Sequence, residues 1–233
     1  MKKLLFLLVL CVGGGFVSAA ECPAEQDTLL SALSAQLRRN FKTLKKLRPP
    51  VYYMSYQLYE TSAFQANAKA GALQFSITDD SGAVDISARV GSVHTDNTHE
   101  LKGTYTNTDL VSVQVPLARR DSLALRNALW RGTQAAVENA QQEYNRELSN
   151  KQVSAENMDT SDDFALPQKN IFCQEEKTFE YNRAEIEERL KRLSLQGEKY
   201  DFVDDSAFAF RLELITTYFV DSVGNRIFTS RAF

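Results

Sequence analysis

The amino-acid sequence predicts an α+β fold in which an antiparallel β-sheet packs with long amphipathic helices. Two long stretches repeat apolar residues at steps of three and four, which is typical of helices with one buried face. Several other stretches alternate between apolar and polar residues, which is typical of half-buried strands. The connections between these strands are too short for crossover helices, so the strands are predicted to be antiparallel.

The chain begins with the pattern of a secretory signal peptide. Lysines at positions 2 and 3 precede an uncharged apolar run from Leu4 to Val12, and small residues follow. We predict that residues 1–20 are a signal peptide, cleaved after Ala19 or Ala20, and that the mature chain is periplasmic or secreted. An uncleaved membrane anchor is the alternative. Because the run is shorter than the roughly 20 residues that cross a bilayer, no stable membrane insertion is expected.

The cysteines are interpreted in the light of this export. Cys11 lies in the predicted signal, which leaves Cys22 and Cys173 in the mature chain. Two cysteines in an oxidising compartment allow a single pairing, so a Cys22–Cys173 disulfide is predicted. Two unrelated thiols, buried or free, are the alternative that the sequence leaves open.

The first predicted helix spans residues 27–47. Apolar residues recur there at three- and four-residue steps, Asp27 is a suitable N-cap, and Pro49-Pro50 ends the element. The basic residues between the apolar positions are expected to form a solvated face, and a membrane-surface role for them is the alternative.

Four strand-like stretches follow this helix. They span residues 51–59, 64–78, 83–93 and 109–117, and aromatic and β-branched residues are frequent in them. The polar segment Asp79–Gly82 is predicted to be a hairpin turn between the second and the third stretch.

The second half of the chain begins with a long predicted helix from Ser122 to Ser149. The polar stretch 150–169 is interpreted as an exposed, flexible connection. Two strands, 206–220 and 225–229, are predicted near the end of the chain and are joined by a turn at 221–224. The outer edge of the second of these strands is predicted to be unpaired.

A short third helix is predicted between the connection and the last two strands. Asn182 is its N-cap, and Glu185 stands at the capping-box position. Ile186, Leu190 and Leu193 are predicted to face inward.

No complete catalytic site is predicted. His94 and His99 are five residues apart, which places them on opposite faces of a strand, so they are interpreted as loop residues and not as metal ligands. The pairs Asp79-Asp80 and Asp204-Asp205 are interpreted as turn or strand-end residues. Neither a nucleophile elbow nor a glycine-rich phosphate loop occurs in the mature chain. We therefore predict no catalytic, cofactor-binding or metal-binding residue.

The charge pattern argues against a nucleic-acid partner. The formal net charge is −3 at pH 7, and acidic and basic residues are interspersed along the chain. A nucleic-acid-binding domain would instead concentrate lysine and arginine on one face.

One series of short motifs runs through essentially the whole mature chain. The motifs are Pro50-Val51-Tyr52-Tyr53-Met54-Ser55-Tyr56, Gly71-Ala72-Leu73, Val90-Gly91, Asp96-Asn97-Thr98, Ala128-Leu129-Trp130, Thr217-Tyr218-Phe219-Val220-Asp221-Ser222 and Gly224. In order and spacing this series resembles the N-terminal domain of the TldD/PmbA family of zinc metallopeptidases. The chain departs from the family at Val223, where relatives often have glutamate in a Ser-Glu-Gly turn.

The resemblance implies an α+β N-terminal domain over residues 21–233, followed in the family by a second, β-rich domain. The family's zinc ligands lie on a His-Glu-x-x-x-His helix in that later part, so zinc is expected only there and no catalytic residue carries over. Family members form dimers that enclose the active site, and unfolded peptides are their expected substrates.

Two functional classes follow from this resemblance. In the first, the chain is the N-terminal portion of an exported peptidase, homo- or heterodimeric, and contributes dimer contacts and part of the substrate chamber. In the second, it is a stand-alone, non-catalytic binding module of the cell envelope.

Overall fold

The computed structural model describes residues 28–98, 110–115, 122–153, 161–200 and 206–233. The predicted signal peptide, Cys22, His99 and Asp204-Asp205 lie outside these ranges. The helices are α1 (Thr28–Leu44), α2 (Ser122–Val153) and α3 (Arg183–Ser194). The strands are β1 (Val51–Lys69), β2 (Ala72–Ser92), β3 (Thr95–Asp96), β4 (Leu110–Gln114), β5 (Ile171–Cys173), β6 (Ala207–Asp221) and β7 (Arg226–Ala232).

The strands form one sheet in the order β3-β2-β1-β6-β7-β5, and β4 also pairs with β2. Every pairing is antiparallel except that of β5 with β7, which is parallel. The predicted α+β class is therefore confirmed. β5 was not predicted, and its pairing with β7 shows that the prediction of an unpaired outer edge was wrong.

The hairpin turn between β1 and β2 lies at Ala70-Gly71, so the prediction of a turn at Asp79–Gly82 was wrong. Ala70 and Gly71 have φ values of 48° and 75°, the left-handed conformation that a two-residue hairpin turn needs at both positions. Asp79–Gly82 instead continues β2, where it pairs with the segment 60–63 of β1. Its polar side chains fit there because that part of the strand is exposed.

α1 and α2 cover the half of the sheet that is nearer the start of β1. Their buried side chains pack with alternate residues of the three central strands in one apolar cluster. The sheet residues in this cluster include Met54, Tyr56, Leu58, Val84, Ile86, Ala88, Val90, Tyr218 and Val220. None of the described helices is long and apolar enough to span a membrane.

α3 covers the other half of the same sheet face. Leu190 packs there with Phe64 and Ala66, which continue the alternation of Met54 and Tyr56 along β1 without a break in register. All three described helices therefore lie on one face. We call the opposite face the open face; its β1 residues are the odd-numbered ones from Tyr53 to Asn67. Two of them, Tyr53 and Ala63, are nevertheless buried.

The N-terminus of α3 confirms the predicted cap. The side-chain oxygen of Asn182 accepts a hydrogen bond from the backbone N–H of Glu185 (3.2 Å). Leu190 is buried and Ile186 packs beside it, as predicted. Leu193 is exposed, contrary to prediction, because the helix instead turns Ser194 inward to bond with the hairpin turn (Gly71 N to Ser194 Oγ, 2.9 Å).

The connection after α2 differs from the predicted exposed segment. Residues 150–153 still belong to α2, and 154–160 lie outside the described residues. The described part, 161–169, contains mostly exposed residues, but Phe164 packs against the sheet (Phe164 and Tyr53 ring centroids 4.8 Å apart). The prediction missed this contact because a single apolar residue in a polar stretch gives no periodic signal.

Candidate functional site

Several buried polar side chains meet at one end of the sheet, where β1 begins and β2 and β6 end. Asp96, Asn97, Asp221 and Asn225 are all buried there. Tyr52, Tyr53 and Arg89 contact the two carboxylates. We call these seven residues the polar corner.

Asp96 is the centre of the first half of the polar corner. Its Oδ2 accepts hydrogen bonds from the Tyr52 hydroxyl (2.5 Å) and from Arg89 Nη1 (2.8 Å). Its Oδ1 accepts from both the backbone N–H and the hydroxyl of Thr98 (2.7 Å each). The bond to the N–H two residues ahead is an Asx turn, which explains why Asp is suited to this position.

These contacts decide the charge of Asp96. Burial alone would favour the neutral acid, but the hydrogen bonds from Tyr52, Thr98 and Arg89 outweigh it and lower the pKa of Asp96 below its usual value. Burial, together with the neighbouring Asp96 carboxylate, raises the pKa of Tyr52. Tyr52 therefore remains a neutral hydrogen-bond donor beside an ionised carboxylate.

Asn97 and Gly91 fix the end of β2 against the start of β1. The side-chain oxygen of Asn97 accepts from the backbone N–H of Val90 (2.7 Å), and the N–H of Gly91 donates to Pro50 O (3.0 Å). Gly91 has a φ of 110°, and a Cβ there would lie 2.4 Å from the Tyr144 ring. Only glycine fits this position without strain.

Asp221 is the centre of the second half and organises the turn between β6 and β7. Its Oδ1 accepts from the backbone N–H groups of Val223 (3.0 Å), Gly224 (2.9 Å) and Asn225 (2.9 Å). Its Oδ2 accepts from Asn225 Nδ2 (2.6 Å) and from the Tyr53 hydroxyl (3.3 Å). Burial, with the charge of Asp221, raises the pKa of Tyr53. The predicted hairpin turn at 221–224 is confirmed.

Phe164 joins the two halves of the polar corner. Its ring packs against Tyr53, its centroid lies 6.3 Å from that of Tyr52, and the guanidinium carbon of Arg89 lies 4.0 Å from it. Such a cation over an aromatic face is attracted by the ring quadrupole. Beside it, the backbone N–H of Asp96 donates to Asp163 Oδ2 (2.8 Å).

The polar corner stabilises local geometry and is not suited to general-base chemistry. A carboxylate has about four lone-pair sites, and both Asp96 and Asp221 already accept at least that many hydrogen bonds from their own chain. Neither carboxylate has an acceptor site left to take a proton from a substrate.

The other predicted positions are dispersed. His94 contacts Asp162 through its Nδ1, and Asp79 and Asp80 are exposed on β2. Among the described residues, no three His, Cys, Asp or Glu side chains are grouped as metal ligands. Cys173 is disulfide-bonded, and the other cysteines lie outside the described residues, so the pairing with Cys22 stays a prediction.

The open face is a surface feature that was not predicted from the sequence. Near the polar corner it presents polar and aromatic side chains, such as Gln57, Tyr59 and Phe219, in cross-strand rows. At the far end of β1 it exposes Phe75 and Ile77, with 44% and 50% of their surface accessible. Leu110, 47% accessible, lies on the same face at the opposite end, level with Ser55.

Comparison with known proteins gives similarity to solved structures only. Neither a protein-family model nor a curated protein matches the chain. One of the matching structures is TldE from Thermococcus kodakarensis (11% identity, TM-score 0.46). Two others are described as candidate modulators of DNA gyrase, from Thermotoga maritima (12% identity, TM-score 0.45) and Bacteroides thetaiotaomicron (9% identity, TM-score 0.44). The matches cover 86%, 85% and 85% of this chain, which spans 37%, 37% and 38% of theirs.

Proposed function

We propose that the chain is the N-terminal, non-catalytic domain of an exported TldD/PmbA-like metallopeptidase. It would contribute dimer contacts and one wall of a substrate chamber for peptides, and would not hydrolyse peptides by itself. The observation that carries this proposal is the convergence at the polar corner of five of the seven family-like motifs, which are far apart in the sequence. The motifs at 71–73 and 128–130 lie elsewhere, in the β1–β2 turn and on α2.

The convergence is seen in direct hydrogen bonds between motifs. Met54 and Ser222, 168 residues apart, bond through Met54 N to Ser222 Oγ (3.1 Å) and Ser222 N to Met54 O (2.9 Å). Tyr52 bonds to Asp96, and Tyr53 bonds to Asp221. These bonds hold the motifs in one arrangement, as a shared structural unit requires.

The open face supports the proposed role as a wall. An antiparallel sheet can leave one polar face in water, so an uncovered face alone would call for no partner. This face, however, exposes Phe75 and Ile77, which are neighbours on β2, among its polar side chains. Adjacent exposed apolar groups within a polar surround are typical of interaction surfaces. Its proposed occupant is the β-rich domain that carries the His-Glu-x-x-x-His helix.

The saturated carboxylates of the polar corner support a non-catalytic role for this chain. The zinc and the groups that act on the peptide bond would come from the second domain. If that domain lies on a separate chain, the enzyme would be a heterodimer.

The experiment is co-expression with the neighbouring reading frame that encodes a His-Glu-x-x-x-His helix. We expect the two products to co-purify with bound zinc and to hydrolyse an unfolded peptide, whereas the chain alone does neither. Mass measurement in solution gives the stoichiometry. Two chains that stay apart, or an unrelated gene in that position, would instead favour the stand-alone envelope module.

A further inference from the structure

A pocket lies on the helix-covered side of the sheet. It is formed between α1, the turn after β6 and the segment before β5. It encloses about 280 Å³ and is lined, among the described residues, by three cationic side chains: Arg38, Lys169 and Arg226. They come from three separate elements of the chain, so the fold and not the sequence brings them together.

Two of the cations are held beside one residue, Ser34 of α1. Arg38 Nε donates to the Ser34 carbonyl (3.3 Å), and Arg226 Nη2 donates to the Ser34 hydroxyl (3.3 Å). The third cation, Lys169, lies along Gly224, where a Cβ would be 3.5 Å from its Cε. The glycine thus leaves room for the lysine side chain beside the turn.

No carboxylate of the described residues forms an ion pair with these cations. Asp221 lines the same pocket, but its two oxygens already accept hydrogen bonds from Tyr53 and from the turn. The three cations line one pocket, and a bound anion would offset the repulsion between their like charges. Guanidinium groups are also the side chains best suited to carboxylate and phosphate oxygens.

We infer that the pocket formed by Arg38, Lys169 and Arg226 binds an oxyanion, the carboxylate or phosphate group of a small or peptide ligand. Ile171, about half of whose surface is exposed, also lines it, so an apolar group attached to the anion can pack there. The inference does not depend on the proposed peptidase function, because it requires only this chain.

The test is a titration of the purified mature chain with four probes at matched ionic strength. The probes are inorganic phosphate, acetate, a short peptide with an apolar last residue and a free C-terminal carboxylate, and the same peptide amidated at its C-terminus. Binding of phosphate alone identifies a phosphate-type ligand, and binding of the free but not the amidated peptide identifies a carboxylate. Either result supports the inference, whereas no binding beyond that of chloride would overturn it.

Arginine-to-glutamine variants test the position of the site. Arg38→Gln and Arg226→Gln should each weaken binding by about tenfold or more, since a hydrogen bond to a charged group contributes about 1.5–3 kcal/mol. Arg39→Gln is the matched control, because Arg39 is also exposed on α1 but lines a different groove. Equal weakening by Arg39→Gln would show general charge attraction and overturn the inference.

A second readout does not need a ligand. Without an oxyanion, Arg38→Gln should melt no lower than the wild-type chain, because it removes a repulsive neighbour of Arg226. With the bound probe, the wild-type chain should gain more thermal stability than the variant. If the variant gains as much, the stabilising anion binds elsewhere and the inference fails.

Discussion

Asp96 combines complete burial with an ionised carboxylate, and the reason lies in its immediate neighbours. Four donors on three residues surround its two oxygens, and one of them is a guanidinium. A buried charge is tolerated only when its hydrogen bonds are complete. The ionised state of Asp96 therefore depends on these four hydrogen bonds.

Removing that charge should destabilise the chain. Asp96→Asn is expected to lower the free energy of unfolding by about 3 kcal/mol at neutral pH, because it removes the buried carboxylate to which Arg89 and Tyr52 donate. Urea unfolding measures the difference. Asp79→Asn, which changes an exposed carboxylate on β2, is the control and should change stability by no more than about 0.5 kcal/mol.

The difference in stability between the wild-type chain and Asp96→Asn should depend on pH. The folded-state pKa of Asp96 is lower than its unfolded value of about 3.9, so its stabilising effect is complete above that value and is lost as the pH falls through the folded pKa. The gap between the wild-type chain and Asp96→Asn should therefore shrink in acid. A gap that stays constant down to the acid transition would contradict an ionised Asp96.

The contacts of single residues differ in how well they can be predicted from the sequence. The cap at Asn182 was predictable because its partner, Glu185, is three residues away and the bond is local. The links of Arg89 to Phe164 and of Tyr53 to Asp221 were not, because neither partner is local in sequence. The position of Asp221 at the start of a turn was predictable from the residues that follow it. Its hydrogen bond from Tyr53 was not.

At the scale of elements, the hairpin of β1 and β2 shows that residue composition alone can misplace a turn. The helices were located well because their periodicity extends over several turns. The turn was misplaced because Asp79–Gly82 has turn composition, whereas the real turn contains alanine. β5 was missed because a strand of three residues is too short to show alternation.

Substitutions at the two residues of the β1–β2 turn should have opposite effects on stability. Ala70→Asn should stabilise the chain by about 1 kcal/mol, because asparagine tolerates the left-handed conformation that costs alanine roughly that much. Gly71→Ala should destabilise it by at least about 1 kcal/mol, since it adds the same strain and a Cβ only 2.6 Å from Leu195. Thermal unfolding measures both; destabilisation by Ala70→Asn would argue against this turn position.

At the scale of the whole molecule, the proposed interaction surface is testable through charge. Ile77→Lys on the open face should weaken association with the proposed second domain by about tenfold or more, because it places a charge in an apolar contact. Leu148→Lys on α2 is the matched control, since Leu148 is another exposed aliphatic residue, on the helix-covered side. Equal loss in both variants would place the contact elsewhere.

The predicted disulfide would join two parts of the chain that are far apart in sequence, the segment before α1 and the sheet edge at β5. Its loss should cost about 4–5 kcal/mol, because it closes a very long loop in the unfolded chain. We expect reductant to change the gel mobility of the mature chain, and Cys22→Ser to abolish that change. Unaltered mobility in the wild-type chain would contradict the pairing.

The position of β1 in the middle of the sheet has a consequence for the order of folding. β1 and β2 are joined by a two-residue turn and can pair as soon as both have left the ribosome. The other edge of β1 must wait for β6, which the chain supplies only near its end; Met54 and Ser222 are 168 residues apart. Until β6 arrives, a strand edge of fifteen residues, Ser55–Lys69, is thus exposed to any neighbouring chain, and aggregation competes with folding.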